Sequence, residues 1–205
     1  MLPESNRSLS FRLIILIFGL FVYGLGVAMT VHAGLGIAPW DVFAQGISIQ
    51  TGLSFGVSTV VVSALVLLAW IPLKVKPGIG TVANAVLIGL FADFWLLILP
   101  GTSIYWQQLL IFLVGVVIVA IATGLYISSA LGSGPRDGLM QGTANALDKP
   151  FWMVRTAYEG TVLILGALMG GQVREGTLIF ALSIGYLVQL SMKFFKIPKG
   201  FSFWH

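Results

Sequence analysis

The chain repeats itself: its second half matches its first, without a gap, at an offset of 96 residues. The matching pairs are Gly36 and Gly132, Pro39 and Pro135, Asp41 and Asp137, Gln45 and Gln141, Gly46 and Gly142, Gly80 and Gly176, Thr81 and Thr177, and Gly89 and Gly185. Both copies keep an Asp just after a Gly-rich turn. Paired polar breaks of this kind point to the binding site of a transporter.

Composition identifies an integral membrane protein. Hydrophobic residues make up 58% of the chain and charged residues 9%, and the mean hydropathy is +0.99. Soluble domains contain about 45–50% apolar and about 25% charged residues. Six stretches are long enough to cross about 30 Å of hydrocarbon as helices: residues 11–33, 55–71, 80–99, 107–129, 151–170 and 177–195. Residues 1–205 then form a single transmembrane domain of two repeats, about 11–100 and about 107–196.

Each repeat also contains a shorter segment, residues 34–51 and 131–149, that is too polar and Gly-rich to span comfortably. In both, a Pro follows the Gly-rich turn and precedes about ten helix-compatible residues, and Pro favours the first turn of a helix. The predicted fold is therefore all-α, with three transmembrane helices and one short re-entrant or interfacial helix in each repeat. Because three is odd, the second repeat must be inserted upside down relative to the first, as an inverted-topology duplication.

The positive charges favour six spans with the N- and C-termini in the cytoplasm. Arg174 then lies in an external loop, and the cytoplasmic side holds Arg7, Arg12, Lys74, Lys76, Arg136, Lys149, Lys193, Lys196 and Lys199. Eight full crossings would move Lys74 and Lys76 to the opposite side from the N-terminus. Because the basic residues sit at segment ends, the expected partner is the lipid bilayer and not nucleic acid. The small size suggests a homodimer.

The repeated Gly-x-x-Pro-x-Asp motif places an Asp in the first turn of each short helix. The carboxylate can cap the free backbone N–H groups there. Alternatively, the amides of two opposed helix starts attract an anionic group of a small substrate, while an Asp takes a proton or cation. Gln45 and Gln141, four residues on, share the helical face of each Asp. The predicted substrate-binding residues are Gly36, Pro39, Trp40, Asp41, Gln45, Gly132, Pro135, Arg136, Asp137 and Gln141.

The copies differ where Trp40 in the first corresponds to Arg136 in the second. In a purely structural interpretation, Trp40 anchors the chain at the membrane interface and Arg136 is a cytoplasmic positive charge. In a functional one, Arg136 contacts an anion on one side, and Trp40 forms a hydrophobic or stacking gate on the other.

Three more ionisable residues lie within predicted spans. Arg155 and Glu159 are one helical turn apart, a spacing at which pairing relieves the cost of a charge in the membrane, at least about 2.5–3.5 kcal/mol. The pair is either a structural clamp or part of a coupling site, and it should face protein or water. Asp93 is a second candidate for proton or cation coupling, or else forms an interhelical hydrogen bond.

Other chemistries lack their motifs in the sequence. His32 and His205 are far apart and there is no cysteine, so we expect no metal site. Nucleotide-binding and hydrolase motifs are missing too, and we expect no cofactor, no catalytic residue and no enzyme activity. An intramembrane aspartyl protease would need Asp41 and Asp137 close enough to share a proton.

The Gly-Leu-Gly-x-x-Pro-Trp-Asp run at residues 34–41 and the Gly-Ser-Gly-Pro-Arg-Asp-Gly run at residues 132–138 resemble the YczE/YyaS/YitT group of small bacterial membrane proteins. The resemblance covers nearly the whole chain and is closest to the YczE-like branch. It implies a multi-span fold in the bacterial inner membrane and supplies no catalytic residues. We therefore predict a small-solute transporter or exporter that alternates access around the paired broken helices. The alternative is a non-transporting membrane protein that regulates or anchors a partner protein.

Overall fold

The computed structural model describes residues 8–196, and its regular structure over that range is entirely helical. Three residues used in the sequence analysis, Arg7, Lys199 and His205, lie outside the described residues. The helices are α1 (Leu9–Ala33), α2 (Pro39–Thr51), α3 (Phe55–Trp70), α4 (Ile79–Ile98), α5 (Tyr105–Ile127), α6 (Pro135–Leu147), α7 (Phe151–Leu168) and α8 (Glu175–Phe194).

The helix bounds follow the duplication in the sequence. α2 and α6 begin at Pro39 and Pro135 and are both 13 residues long. α4 and α8 are both 20 residues long, and their first residues, Ile79 and Glu175, are also related by the offset. The prediction of a short helix with Pro in its first turn is thus confirmed in both copies.

Four helices, α1, α4, α5 and α8, are long and apolar enough to cross a membrane. Counting α2 and α3 as one broken span would give a fifth, and the two are bent by 115° at the break. α3 has 16 residues, about 24 Å of helix, and α7 contains Arg155 and Glu159, which lower its hydropathy. Large apolar side chains cover the outside, with Leu97 87% and Leu182 77% exposed. Such surfaces suit contact with lipid, so the chain is a multi-pass membrane protein.

α1 and α5 pack against each other in opposite directions. A Cβ atom added at Gly19, early in α1, would lie 2.8 Å from the backbone nitrogen of Tyr126, late in α5. One added at Gly115, early in α5, would lie 3.0 Å from the side chain of Thr30, late in α1. The two glycines let the backbones approach closely, as small residues do between membrane helices. α1 and α5, which correspond to each other in the two copies, are therefore antiparallel.

The two halves of the chain are interlocked through the turns that precede the short helices. The carbonyl oxygen of Leu35 accepts a hydrogen bond from the Gly176 nitrogen at 2.7 Å, and that of Leu131 accepts one from the Gly80 nitrogen at 2.8 Å. α2 also packs on α7, and α6 packs on α3. Each short helix is thus held in place by helices of the other half.

Candidate functional site

The starts of α2 and α6 meet at a cavity of about 140 Å³. Side chains from all the other helices complete its lining. Eight residues singled out from the sequence line this cavity: Pro39, Trp40, Asp41, Pro135, Arg136, Asp137, Arg155 and Glu159. Proline in the first turn needs no hydrogen bond for its missing N–H, and the helix that it starts carries the next two side chains to the cavity.

An ion pair joins the two short helices. Arg136 Nη2 donates to Asp41 Oδ1 at 2.9 Å, and the two side chains are 23% and 9% exposed. The Arg136 guanidinium also lies 5.5 Å from the centre of the Trp40 ring, within the range of a cation–π contact. Trp40 in turn stacks on Tyr158, with 6.5 Å between ring centroids. Trp40 and Arg136, which occupy the same position in the two copies, are therefore in direct contact with each other.

A second ion pair lies on α7. Arg155 Nε donates to Glu159 Oε1 at 2.9 Å, four residues along the helix, and about a quarter of each side chain is exposed. Both residues face the cavity, as the cost of a charge in lipid requires. Next to them, the hydroxyl groups of Tyr158 and Thr143 are 3.1 Å apart, which links α7 to α6.

Sequence reasoning missed two tyrosines that line the cavity, Tyr23 of α1 and Tyr126 of α5. Their rings contact each other edge to face at 6.4 Å, and Tyr126 is 2% exposed. A tyrosine within an apolar span is the available signal, because a buried phenol needs a hydrogen-bond partner. Asn84 of α4 lines the cavity as well.

The remaining predicted residues lie outside the cavity lining. Gly36 and Gly132 belong to the interlocking turns. Gln45 Oε1 accepts a hydrogen bond from the backbone nitrogen of residue 172 at 2.6 Å, whereas the amide of Gln141 donates to the exposed side chain at position 145 at 2.9 Å. Asp93 accepts hydrogen bonds at the start of α3, from the hydroxyl at position 54 and from the backbone nitrogen of residue 56, the latter at 2.7 Å.

One buried donor in the cavity lining has no partner. The indole Nε1 of Trp40 makes no hydrogen bond within the part of the chain that the structure describes, and the residue is 6% exposed. Buried polar groups are rarely left unpaired, so this N–H is available to an acceptor that enters the cavity.

Comparisons with known proteins identify relatives over most of the chain. The family of unknown function DUF6198 matches residues 10–193. An uncharacterized protein of Haemophilus influenzae is 41% identical over 175 residues, 85% of this chain and 80% of that protein. The uncharacterized membrane protein YczE of Bacillus subtilis is 35% identical over 176 residues, covering 85% and 82%. The uncharacterized protein YyaS of the same organism is 28% identical over 179 residues, covering 85% and 89%.

The resemblance to YczE and YyaS is thereby confirmed. No solved structure matches the chain.

Proposed function

The chain belongs to the family of unknown function DUF6198, and we propose that it is a small-solute secondary transporter or exporter of the bacterial cytoplasmic membrane. The observation that carries this proposal is the cavity at which the starts of the two short helices converge. Many secondary transporters bind their substrates where broken helices from two repeats meet near the midplane.

The proposed topology has six spans, α1, α3, α4, α5, α7 and α8, with both termini in the cytoplasm and with α2 and α6 re-entrant. The antiparallel packing of α1 and α5 supports it, since corresponding helices of inverted repeats cross the membrane in opposite directions. The 115° bend between α2 and α3 supports it as well. A bend larger than a right angle turns the chain back toward the side from which it came.

In this mechanism the Arg136–Asp41 pair is the contact that changes between the two access states. It bridges the two short helices, so it must break if they separate to open the cavity to one side of the membrane. A solute with an anionic group would compensate, since its acceptor atoms can bond Arg136 and the unpaired indole N–H of Trp40. Because a contact with the solute replaces the Arg136–Asp41 contact, solute binding lowers the free energy needed to separate the two short helices.

Cysteine accessibility tests the proposal, because the chain has no cysteine of its own. Ser63 lines the cavity, whereas Ser58, nearby on α3, is fully buried. We expect Ser63→Cys in membrane vesicles of known orientation to react with an impermeant thiol reagent added from either side. The matched control Ser58→Cys should react from neither side.

Two-sided labelling would show that the cavity can open to each side of the membrane, as alternating access requires. If Ser63→Cys reacts from one side only, or from neither, alternating access is refuted. The preferred function would then be the membrane protein that regulates or anchors a partner.

A further inference from the structure

Within residues 8–196, the charged side chains that line the cavity do not balance. Arg136 and Arg155 face three carboxylates, those of Asp41, Asp137 and Glu159. Asp41 and Glu159 each accept a hydrogen bond from an arginine at 2.9 Å, whereas no ion pair within the same residues includes Asp137. When all five side chains are ionised, they carry one net negative charge, which is costly inside a membrane, and a cationic ligand would cancel it.

Three polar groups converge beside Gly134 in the lining of the cavity. A Cβ atom added at Gly134 would be 3.3 Å from Asp137 Oδ2, 3.3 Å from Tyr126 Oη and 3.4 Å from Asn84 Nδ2. Three helices thus bring a carboxylate, a phenol and an amide to one part of the cavity. Since Tyr126 is 2% exposed, this part of the cavity lies within the protein and not on its surface.

The equivalent place at the start of α2 has different chemistry. Gly134 corresponds to Ala38, and Asn84 corresponds to the apolar Phe180. Asp137 corresponds to Asp41, whose carboxylate is already paired with Arg136. The polar cluster at the start of α6 is thus not reproduced at the start of α2 and does not follow from the shared scaffold.

We propose that the solute carries an ammonium group that binds beside Gly134, to Asp137, Tyr126 and Asn84. An ammonium has three N–H donors, and the carboxylate, the phenol oxygen and the amide oxygen supply three acceptors. Rotation of the Asn84 amide exchanges its nitrogen for its oxygen, since the two ends are equivalent in shape. This inference rests on the proposed transport function and adds the chemical class of the solute.

The cavity limits the size of the solute. Its volume of about 140 Å³ is close to that of an engineered cavity, about 150 Å³, that holds benzene. A solute of about six non-hydrogen atoms therefore fits. With its ammonium beside Gly134, the rest of the molecule would extend toward Trp40 and Arg136, which also line the cavity.

Three solutes that differ in one charged group test the proposal. Alanine carries an ammonium and a carboxylate, ethylammonium lacks the carboxylate, and propionate lacks the ammonium. The midpoint of thermal unfolding is measured on the full chain in an uncharged detergent, against sodium chloride at the same ionic strength. We expect alanine and ethylammonium to raise the midpoint by about 3 °C at concentrations well above their dissociation constants, and propionate to leave it unchanged.

Variants locate the effect. Asp137→Asn keeps the shape of the side chain and removes its charge, and Gly134→Ala places a methyl group among Asp137, Tyr126 and Asn84; both should abolish the rise. Gly134 has φ −62° and ψ 154°, close to the −59° and 147° of Ala38, so its backbone accepts alanine. In the control Asp93→Asn, which alters a carboxylate outside the cavity, the rise should remain.

The outcomes separate this proposal from the proposed function. If propionate alone raises the midpoint of unfolding, the solute is purely anionic. If sodium chloride raises it equally, the site binds an inorganic cation, and if no solute raises it, there is no ammonium site. Each of these results overturns the inference. If Ser63→Cys is still labelled from both sides, the transport proposal survives that result. If Gly134→Ala does not fold, the comparison of the unaltered chain with Asp137→Asn still tests the ammonium site.

Discussion

The starts of α2 and α6 have the same design and different chemistry. Both begin with Pro, carry an Asp at the third helical position, and have an N-cap residue that makes no side-chain cap. At the α2 start, Asp41 is paired with Arg136 and the cap residue is alanine. At the α6 start, Asp137 has no ion-pair partner within residues 8–196 and the cap residue is Gly134. The comparison teaches that the duplication supplies the scaffold and that a few substitutions specialise one copy.

Removing the contact between the two starts should have the largest effect. Arg136→Gln leaves Asp41 as a buried carboxylate without its arginine, and breaking a buried pair from one side costs about 3–5 kcal/mol. Since the Arg136 side chain is 23% exposed, we expect the lower end, about 3 kcal/mol. The measurement is the free energy of unfolding in detergent.

The double variant Arg136→Gln with Asp41→Asn is the control for this prediction. It removes the uncompensated charge, so most of the lost stability should return. If the double variant is as unstable as Arg136→Gln alone, Arg136 contributes through packing, for example on Trp40. The ion pair of Asp41 would then not be the energetic difference between the starts of α2 and α6.

The sequence predicts the scaffold well because the duplication and the hydropathy are local signals. The offset relates the bounds of α2 to those of α6, and Pro39 and Pro135 mark their first residues. It also predicts that the two starts matter together. It does not reveal that Arg136 reaches across to Asp41, because that contact joins residues 95 positions apart and depends on how the halves pack. Nor does it reveal Tyr126, which looks like any aromatic residue of an apolar span.

The turns before the two starts should be equally intolerant of a side chain. Gly36 and Gly132 have φ of +100° and +135°, values that L side chains rarely adopt. An added Cβ would lie 2.6 Å from Thr177 Oγ1 in the first turn and 2.7 Å from Thr81 Oγ1 in the second. We expect Gly36→Ala and Gly132→Ala each to lower the free energy of unfolding by about 2–3 kcal/mol, from strain and overpacking.

Equal losses of unfolding free energy in the two variants would show that the two turns have the same structural role in both copies. A loss in only one of them would extend the asymmetry from the cavity to the turns. Unchanged stability in both would contradict the interlocked packing of the two halves.

The glutamines one turn beyond each Asp give the smallest and sharpest contrast. Gln45 bonds the backbone nitrogen of residue 172 at 2.6 Å in a partly buried position, whereas Gln141 bonds an exposed neighbour on its own helix. Losing a partner for a partly buried backbone donor costs about 1–2 kcal/mol, and exposed substitutions usually cost less than about 0.5 kcal/mol. Gln45→Ala should therefore destabilise the protein measurably in the same unfolding assay, and Gln141→Ala should not. Equal losses of stability in the two variants would mean that the matched glutamines have the same role in both copies. The two short helices would then differ only at their first residues.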